Sequence, residues 1–312
     1  MKPKSMTSLI AKSVAVLAAC TALNVSAGTA PAKNPAPIEE PSALFDSIGG
    51  SLSAAYDSRY YFRGLWFADN IITTALNLAI PLVGGAGEDG AGAITWGLGA
   101  AYVTSMQTPF QVGGVASDNG FDYSEYDLYT SLSYNAGFAT LGIQYQYYGY
   151  PDSYSGSFNG VSNAANDSEL GITGAHEVGL TATIPLGALN LYAGYYYDLT
   201  IGGQYFQLAA DYTYAVNDWL SIVPAIQTGY GIDYYTGTGG PTYSLANGFA
   251  NGSTQSSGIT HVLVSVSAPV KLTKIATLTP YVAWNFAGPT RNYMNATADN
   301  EFFGGVKLSV NF

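Results

Sequence analysis

Cysteine, charge and long apolar runs are all scarce in this sequence. Its single cysteine, Cys20, rules out an intrachain disulfide and any site built from several thiolates. Charged residues make up 10% of the chain, and the 10 basic ones are outnumbered by 21 acidic ones. A chain of that sign repels a phosphate backbone, so nucleic acid is excluded as a partner. The apolar run near the N-terminus, Val14 to Leu23, is about half of the ~20 residues that a helix needs to cross a bilayer. Histidine occurs only at His176 and His261, and the Gly-rich stretch from Gly84 to Gly92 lacks the lysine of a phosphate-binding loop. No zinc spacing or haem motif occurs, and no cofactor is expected.

Tyrosine and glycine are plentiful, at 26 and 37 residues beside 48% hydrophobic content. That mixture is odd for a soluble enzyme and suits a sheet wetted on one face and greased on the other. Met1 to Ala27 carry Lys2, Lys4 and Lys12, then the apolar run, then Val25-Ser26-Ala27 before Gly28. This order reads as a secretory signal peptide cut after Ala27. Leu17-Ala18-Ala19-Cys20 also reads as a lipobox with Cys20 as the lipidated residue, and the choice stays open. Residues 28–50, broken by Pro31, Pro35, Pro37 and Pro41, read as a periplasmic leader. The folded part is then 51–312.

From Gly50 onward the hydrophobic period is two, which sends successive side chains to opposite faces of a sheet. Leu52, Ala54, Tyr56, Ser58, Tyr60 and Phe62 fall on one face, and Ser53, Ala55, Asp57, Arg59, Tyr61 and Arg63 on the other. Similar sets recur, among them Tyr126-Leu128-Thr130-Leu132, Leu189-Leu191-Ala193-Tyr195 and finally Phe302-Gly304-Val306-Leu308-Val310-Phe312. Twelve such sets predict an all-β fold, a transmembrane antiparallel β-barrel of 12 strands, the even number bringing both chain ends to the periplasm. Turns are expected at Asn135-Ala136-Gly137, Gly187-Ala188, Asn217-Asp218, Lys271 to Lys274 and 84–92. Outward loops are expected near 106–122, 151–174, 233–258 and 287–300, with short ones at 64–70 and 199–203. Similar runs at Ile80-Pro81-Leu82, Ile184-Pro185-Leu186 and Ala268-Pro269-Val270 suggest a faint four-strand repeat.

A soluble β-sandwich also alternates, but its apolar face would be mixed aliphatic. Here aromatics gather at the ends of strands: Tyr60, Phe62, Tyr102, Tyr147, Tyr197, Tyr230, Trp284 and Phe286 at the loop end, and Tyr134, Tyr214, Trp219 and Phe312 at the turn end. Two aromatic girdles around an aliphatic band are what a bilayer selects, which places the chain in a bacterial outer membrane.

The last strand, Gly304 to Phe312, looks like the C-terminal signal that the barrel-assembly machinery reads, with Phe312 as its key residue. The first, Ser58-Arg59-Tyr60-Tyr61-Phe62-Arg63-Gly64, is similar to the opening strand of the TorF-type porins, whose usual pattern is Ser-Asp-Tyr-Arg-Phe-Arg-Gly. Arg59 replaces the acidic residue of that pattern and Tyr61 its first arginine. The resemblance covers about residues 51–70 and implies a porin-like role without a substrate.

If the apolar face meets lipid, the lumen receives Asp57, Glu125, Asp127, Glu177, Asp198, Asp211 and Glu301 against Arg59, Arg63 and Lys307. Such an excess of acid predicts weak cation preference in a pore for passive diffusion of small solutes or ions. Asp57, Arg59 and Arg63 would also brace the wall as a cross-strand network. Inward Tyr61, Tyr129, Tyr148, Tyr192, Tyr196 and Tyr281 would fill the lumen or stack on solutes. Small residues on strand three, Thr95, Gly97, Gly99 and Ala101, favour a narrow opening over a plugged barrel. Two alternatives remain. One is a non-conducting surface protein whose loops, with Asp152, Asp167, Glu169 and Asp233, bind a partner or calcium. The other is an outer-membrane hydrolase using His176 or His261, although neither lies in a recognisable serine-hydrolase motif. Otherwise the expected partners are outer-membrane lipid and the assembly machinery, with homo-oligomerisation left open.

Overall fold

The computed structural model describes residues 48–86, 90–106, 111–112, 115–116, 124–149, 174–200, 202–232, 257–288 and 300–312. The signal-peptide reading and the leader through residue 47 lie outside these residues, as do the loop acids Asp152, Asp167, Glu169 and Asp233, while Gly49 and Gly50, read as the end of the leader, already belong to the first strand. All regular structure among the described residues is strand. Twelve long strands follow the chain: β1 Gly49–Phe62, β2 Leu65–Val83, β3 Ile94–Ser105, β4 Ser124–Asn135, β5 Thr140–Gly149 and β6 Gly174–Leu186. Then come β7 Leu189–Asp198, β8 Gln204–Tyr212, β9 Ser221–Ile232, β10 Ser257–Ser267, β11 Ala276–Ala287 and β12 Glu301–Asn311. Two-residue pieces add a small hairpin, Gln111–Val112 with Val115–Ala116, and short extensions at Tyr214–Ala215 and Val270–Lys271.

Each strand pairs antiparallel with its predecessor and successor, and β1 pairs with β12 from Ser51↔Asn311 to Asp57↔Gly305. The sheet is therefore a closed twelve-stranded barrel with no open edge. The seam is fastened at its end by Gly50 and Phe312. The Gly50 N–H donates to the Phe312 carbonyl at 2.9 Å, and the Phe312 N–H to the Gly50 carbonyl at 3.0 Å.

Alternation becomes two faces. Leu52, Leu76, Leu128, Leu132, Ile143, Leu180, Leu208, Ile226, Val264 and Leu308 are exposed on the outside. Each large aliphatic or aromatic side chain gains roughly 1.5–3 kcal/mol on leaving water, so a belt of them is untenable in solvent and stable in lipid. Tyr102, Tyr230, Trp284 and Phe286 cap the belt at the loop end, and Tyr134, Tyr214, Trp219 and Phe312 cap it at the turn end. Trp284 and Phe286 stack at 5.6 Å there, and Tyr147 lies 4.9 Å from the exposed His176 ring. Turns form at Asn135–Thr140, Gly187–Ala188, 216–220 and 272–275, with Gly137 and Gly187 in the left-handed region that such tight reversals need.

The first hairpin departs from this plan. The expected outward loop at 64–70 is absent: the chain reverses in two residues, Arg63 at φ 50° and Gly64 at φ 87°, and Phe62 pairs directly with Leu65. Two successive positive φ values make a turn whose twist matches paired strands. Wall pairing stops well before this turn, at Asp57↔Gly305 on one side and Ile71↔Ser105 on the other. Between these points residues 59–69 form a two-stranded ribbon whose ladder joins its own two arms, while Asn70 at its base still accepts a hydrogen bond from the Met106 N–H at 2.7 Å. A register shift between Tyr60 and Tyr61, and the left-handed Asn70 at φ 51°, mark its bends. The ribbon folds into the lumen.

Candidate functional site

The tip of the ribbon meets the wall on nearly every side. The Tyr60 hydroxyl donates to the Glu125 carboxylate on β4 at 3.2 and 3.4 Å. The Phe62 ring packs edge-on against Tyr148 of β5, with centroids 5.3 Å apart. Tyr61 lies 5.0 Å from Phe303 of β12, which in turn meets Tyr281 of β11. Asn285 Nδ2 donates to the Gly64 carbonyl at 3.3 Å. A Cβ on Gly64 would stand 2.6 Å from the His261 Cβ, so the turn is pressed against β10 as closely as a glycine permits.

Arg63 occupies the middle of this arrangement. Its Nη2 donates to Glu177 Oε1 at 2.5 Å and its Nη1 to Oε2, a two-pronged pair with β6. The guanidinium carbon sits 4.5 Å from the ring centres of both Tyr196 on β7 and Tyr205 on β8, and 4.9 Å from Phe62. Both charged side chains are 1% exposed. Breaking a buried pair by removing one partner costs about 3–5 kcal/mol, because the other charge is stranded. Cation–π contacts add about 2 kcal/mol when desolvated. Arg59 differs: it reaches Glu301 at 2.7 Å and Asp69 at 3.8 Å with a third of its side chain exposed. A pair so placed is worth about 0–1 kcal/mol. The ribbon is thus held at Arg63 rather than at Arg59.

The structure corrects three sequence readings here. Tyr60 and Phe62, expected in the outer girdle, are buried inside at 1% and 8% exposure, because the ribbon has left the wall and its faces no longer divide lipid from lumen. Arg63 was expected to brace the wall with Asp57 and Arg59, yet its partner stands on β6, since the turn crosses the lumen instead of continuing the strand. The space expected to stay open over Gly99 is taken by the Tyr129 ring, which a Cβ on Gly99 would approach to 2.0 Å.

The remaining predicted site residues lie on the interior face. Asp57 accepts a hydrogen bond from the Tyr281 hydroxyl, with Lys307 acting on the same carboxylate from β12. Tyr129 donates to Asn77, whose Nδ2 donates to Ser51 at 3.2 Å. Asp127 is buried two residues from Glu125 on the same face, and Asp198 stands opposite Glu177 in the β6–β7 register. The Tyr192 and Tyr196 hydroxyls share a hydrogen bond, and Asn190 Nδ2 donates to Asp211 at 3.2 Å toward the turn end. Glu301 pairs with Arg59 at the loop end.

Sequence reasoning passed over the uncharged members of this interior: Gln144, Gln146, Tyr205, Gln207, Gln227 and Asn285, all buried. The signal was present in the alternation, since Gln207 falls between Phe206 and Leu208 and therefore on their opposite face. His261 contacts Thr260 Oγ1 at 2.9 Å and Gln227 Nε2 at 3.3 Å. His176 instead points outward, its Nδ1 2.6 Å from the Tyr145 hydroxyl, so the two histidines stand on opposite faces of the wall.

These features define a closed β-barrel with a lipid-type exterior and an acidic, amide-rich interior crossed by its own first hairpin. No protein-family model matches the chain, and no curated protein matches it in sequence. Its trace is similar to an outer membrane channel from Pseudomonas putida F1, with 11% identity over 85% of this chain and 95% of that one and a TM-score of 0.46. It is similar to the KdgM porin, at 9% identity over 84% and 99% with a TM-score of 0.44. The translocator domain of the autotransporter NalP from Neisseria meningitidis follows, at 10% identity over 85% and 88% with a TM-score of 0.43. At these identities the likeness is one of barrel shape alone.

Proposed function

We propose that the barrel is an outer-membrane channel for passive diffusion of small solutes, weakly cation-selective, and that the conformation described here is its closed one. The observation that carries this reading is the ribbon 59–69, whose strand ladder joins its own two arms and whose tip is held across an acidic interior by side-chain contacts such as Arg63 with Glu177. A segment needed only to complete the wall would be hydrogen-bonded into it. The exposed apolar belt supports the membrane setting, and the similarity of Ser58 to Gly64 to the TorF-type porins supports the porin reading.

Interior carboxylates give the lumen its sign: Asp57, Glu125, Asp127, Glu177, Asp198, Asp211 and Glu301 outnumber Arg59, Arg63 and Lys307. With lipid behind the wall, that field concentrates cations and weakens with salt. The test is the reversal potential of the purified protein in planar bilayers across a salt gradient. A cation-selective sign is expected, reduced in E125Q/D127N, and an anion-selective sign would refute the assignment.

The close burial of interior side chains such as Tyr196 and Gln207 favours a second reading, a non-conducting surface protein. Silent bilayers, together with adhesion that depends on the outward loops, would establish it.

A further inference from the structure

The cage around Arg63 is mostly built from the wall. Glu177, Tyr196 and Tyr205 belong to β6, β7 and β8, and only Phe62 comes from the ribbon itself. Withdrawal of the ribbon would therefore take one ring away and leave a carboxylate and two aromatic faces in place.

Glu177 and Tyr196 also have wall contacts of their own. The Tyr148 hydroxyl donates to Glu177 Oε1 at 3.4 Å, and Tyr196 is tied to Tyr192 through their hydroxyls. The Tyr196 ring is seated on two glycines, since a Cβ on Gly179 or Gly194 would come within 2.8 or 2.7 Å of it. Asp198 adds a second buried carboxylate opposite Glu177. The chemistry is selective. A guanidinium is planar, weakly hydrated and forked, so it can lie against tyrosine faces while giving two parallel hydrogen bonds to one carboxylate. An ammonium offers a compact, strongly hydrated charge and no fork.

We infer that this cage is a binding site for guanidinium-bearing solutes, occupied in the closed barrel by the chain's own Arg63, and that such a solute competes with the ribbon for it. Arg63 acts as a tethered copy of the ligand. Under the channel reading proposed above, on which this consequence rests, a guanidinium solute reaching the loop end releases the ribbon and admits itself. The binding site itself needs no conductance to exist, which lets the two ideas fail separately.

Calorimetric titration of the detergent-solubilised R63A protein with methylguanidinium and with methylammonium tests the cage. R63A should bind methylguanidinium at least tenfold more tightly than methylammonium, and at least tenfold more tightly than the wild type does, where Arg63 must first be displaced. R63A/E177Q should lose that affinity by tenfold or more. Equal affinity for the two cations, or no effect of E177Q, would overturn the inference. Should R63A fail to reach the heat-modifiable folded form, R63K keeps the charge without the fork and is held to the same contrasts. The wild-type protein in bilayers gives a measurement with no variant: methylguanidinium on the loop side should raise the open fraction and methylammonium should not, and equal responses would overturn the inference. Binding in R63A with silent bilayers would keep the cage and sink the channel. Conductance with no preference for guanidinium would do the reverse.

Discussion

Arg63 and Glu177 stand 114 positions apart in the chain and close on each other inside the barrel, arginine from a hairpin turn and glutamate from the wall. Neither side chain has more than 1% of its surface exposed, so water cannot stand in for the two bonds that each gives the other. Their energetic dependence should be measurable. R63A and E177Q are each expected to lower stability by about 3–5 kcal/mol in urea titrations of the protein in micelles. R63A/E177Q should fall short of the sum by roughly 0.5–3 kcal/mol, because the second loss strands no further charge. Strict additivity would show that the two groups do not act as a pair.

Gly64 offers a way to disturb the ribbon without touching a charge. Its φ of 87° disfavours any side chain, and a Cβ there would meet the His261 Cβ at 2.6 Å. G64A should therefore push the tip off β10 and raise bilayer conductance while the barrel still runs as a heat-modifiable band. Unchanged conductance in folded G64A would place the tip's restraint elsewhere.

Deeper in the lumen, the Tyr129 ring fills the space above Gly99, where a Cβ would come within 2.0 Å of it. G99A should displace the ring, break its hydrogen bond to Asn77 and cost about 1–3 kcal/mol as an overpacked interior does. A thermal midpoint of the folded band equal to wild type would mean that the ring has room to spare.

Phe312 joins the two ends of the sheet through its paired backbone bonds with Gly50, at 2.9 and 3.0 Å, while its ring remains largely exposed on the outside. Deleting it removes a seam contact and the last residue of the expected assembly signal together. Surface levels measured on whole cells should drop severalfold, whereas F312Y should preserve them. Wild-type levels after the deletion would contradict the role given to the terminal residue.

The wall was legible from the sequence because each strand separates lipid from lumen, and that boundary imposes period two. Tyr126-Asp127-Leu128 shows it in three letters, with the acid inside and the apolar residues outside. The ribbon was not legible for the same reason. Tyr60-Tyr61-Phe62 are three aromatics in a row and carry no phase, and Arg63-Gly64 is not among the dipeptides that announce a two-residue turn. Had that run been read as a break in the alternation, the departure from the wall would have been visible. The meeting of Arg63 with Glu177 depends on closure of the whole barrel, and the seat of Tyr129 on Gly99 depends on a register that periodicity alone does not supply.

The most direct test of the channel and its closure is to remove the ribbon while keeping the wall. Replacing residues 59–69 with Asn-Gly joins β1 to β2 through a turn suited to paired strands and leaves the Asp57↔Ile71 pairing intact. In planar bilayers across a salt gradient, the shortened barrel should conduct steadily, severalfold above wild type, with a cation-selective reversal potential. A folded, heat-modifiable variant whose conductance stays at the wild-type level would contradict the account.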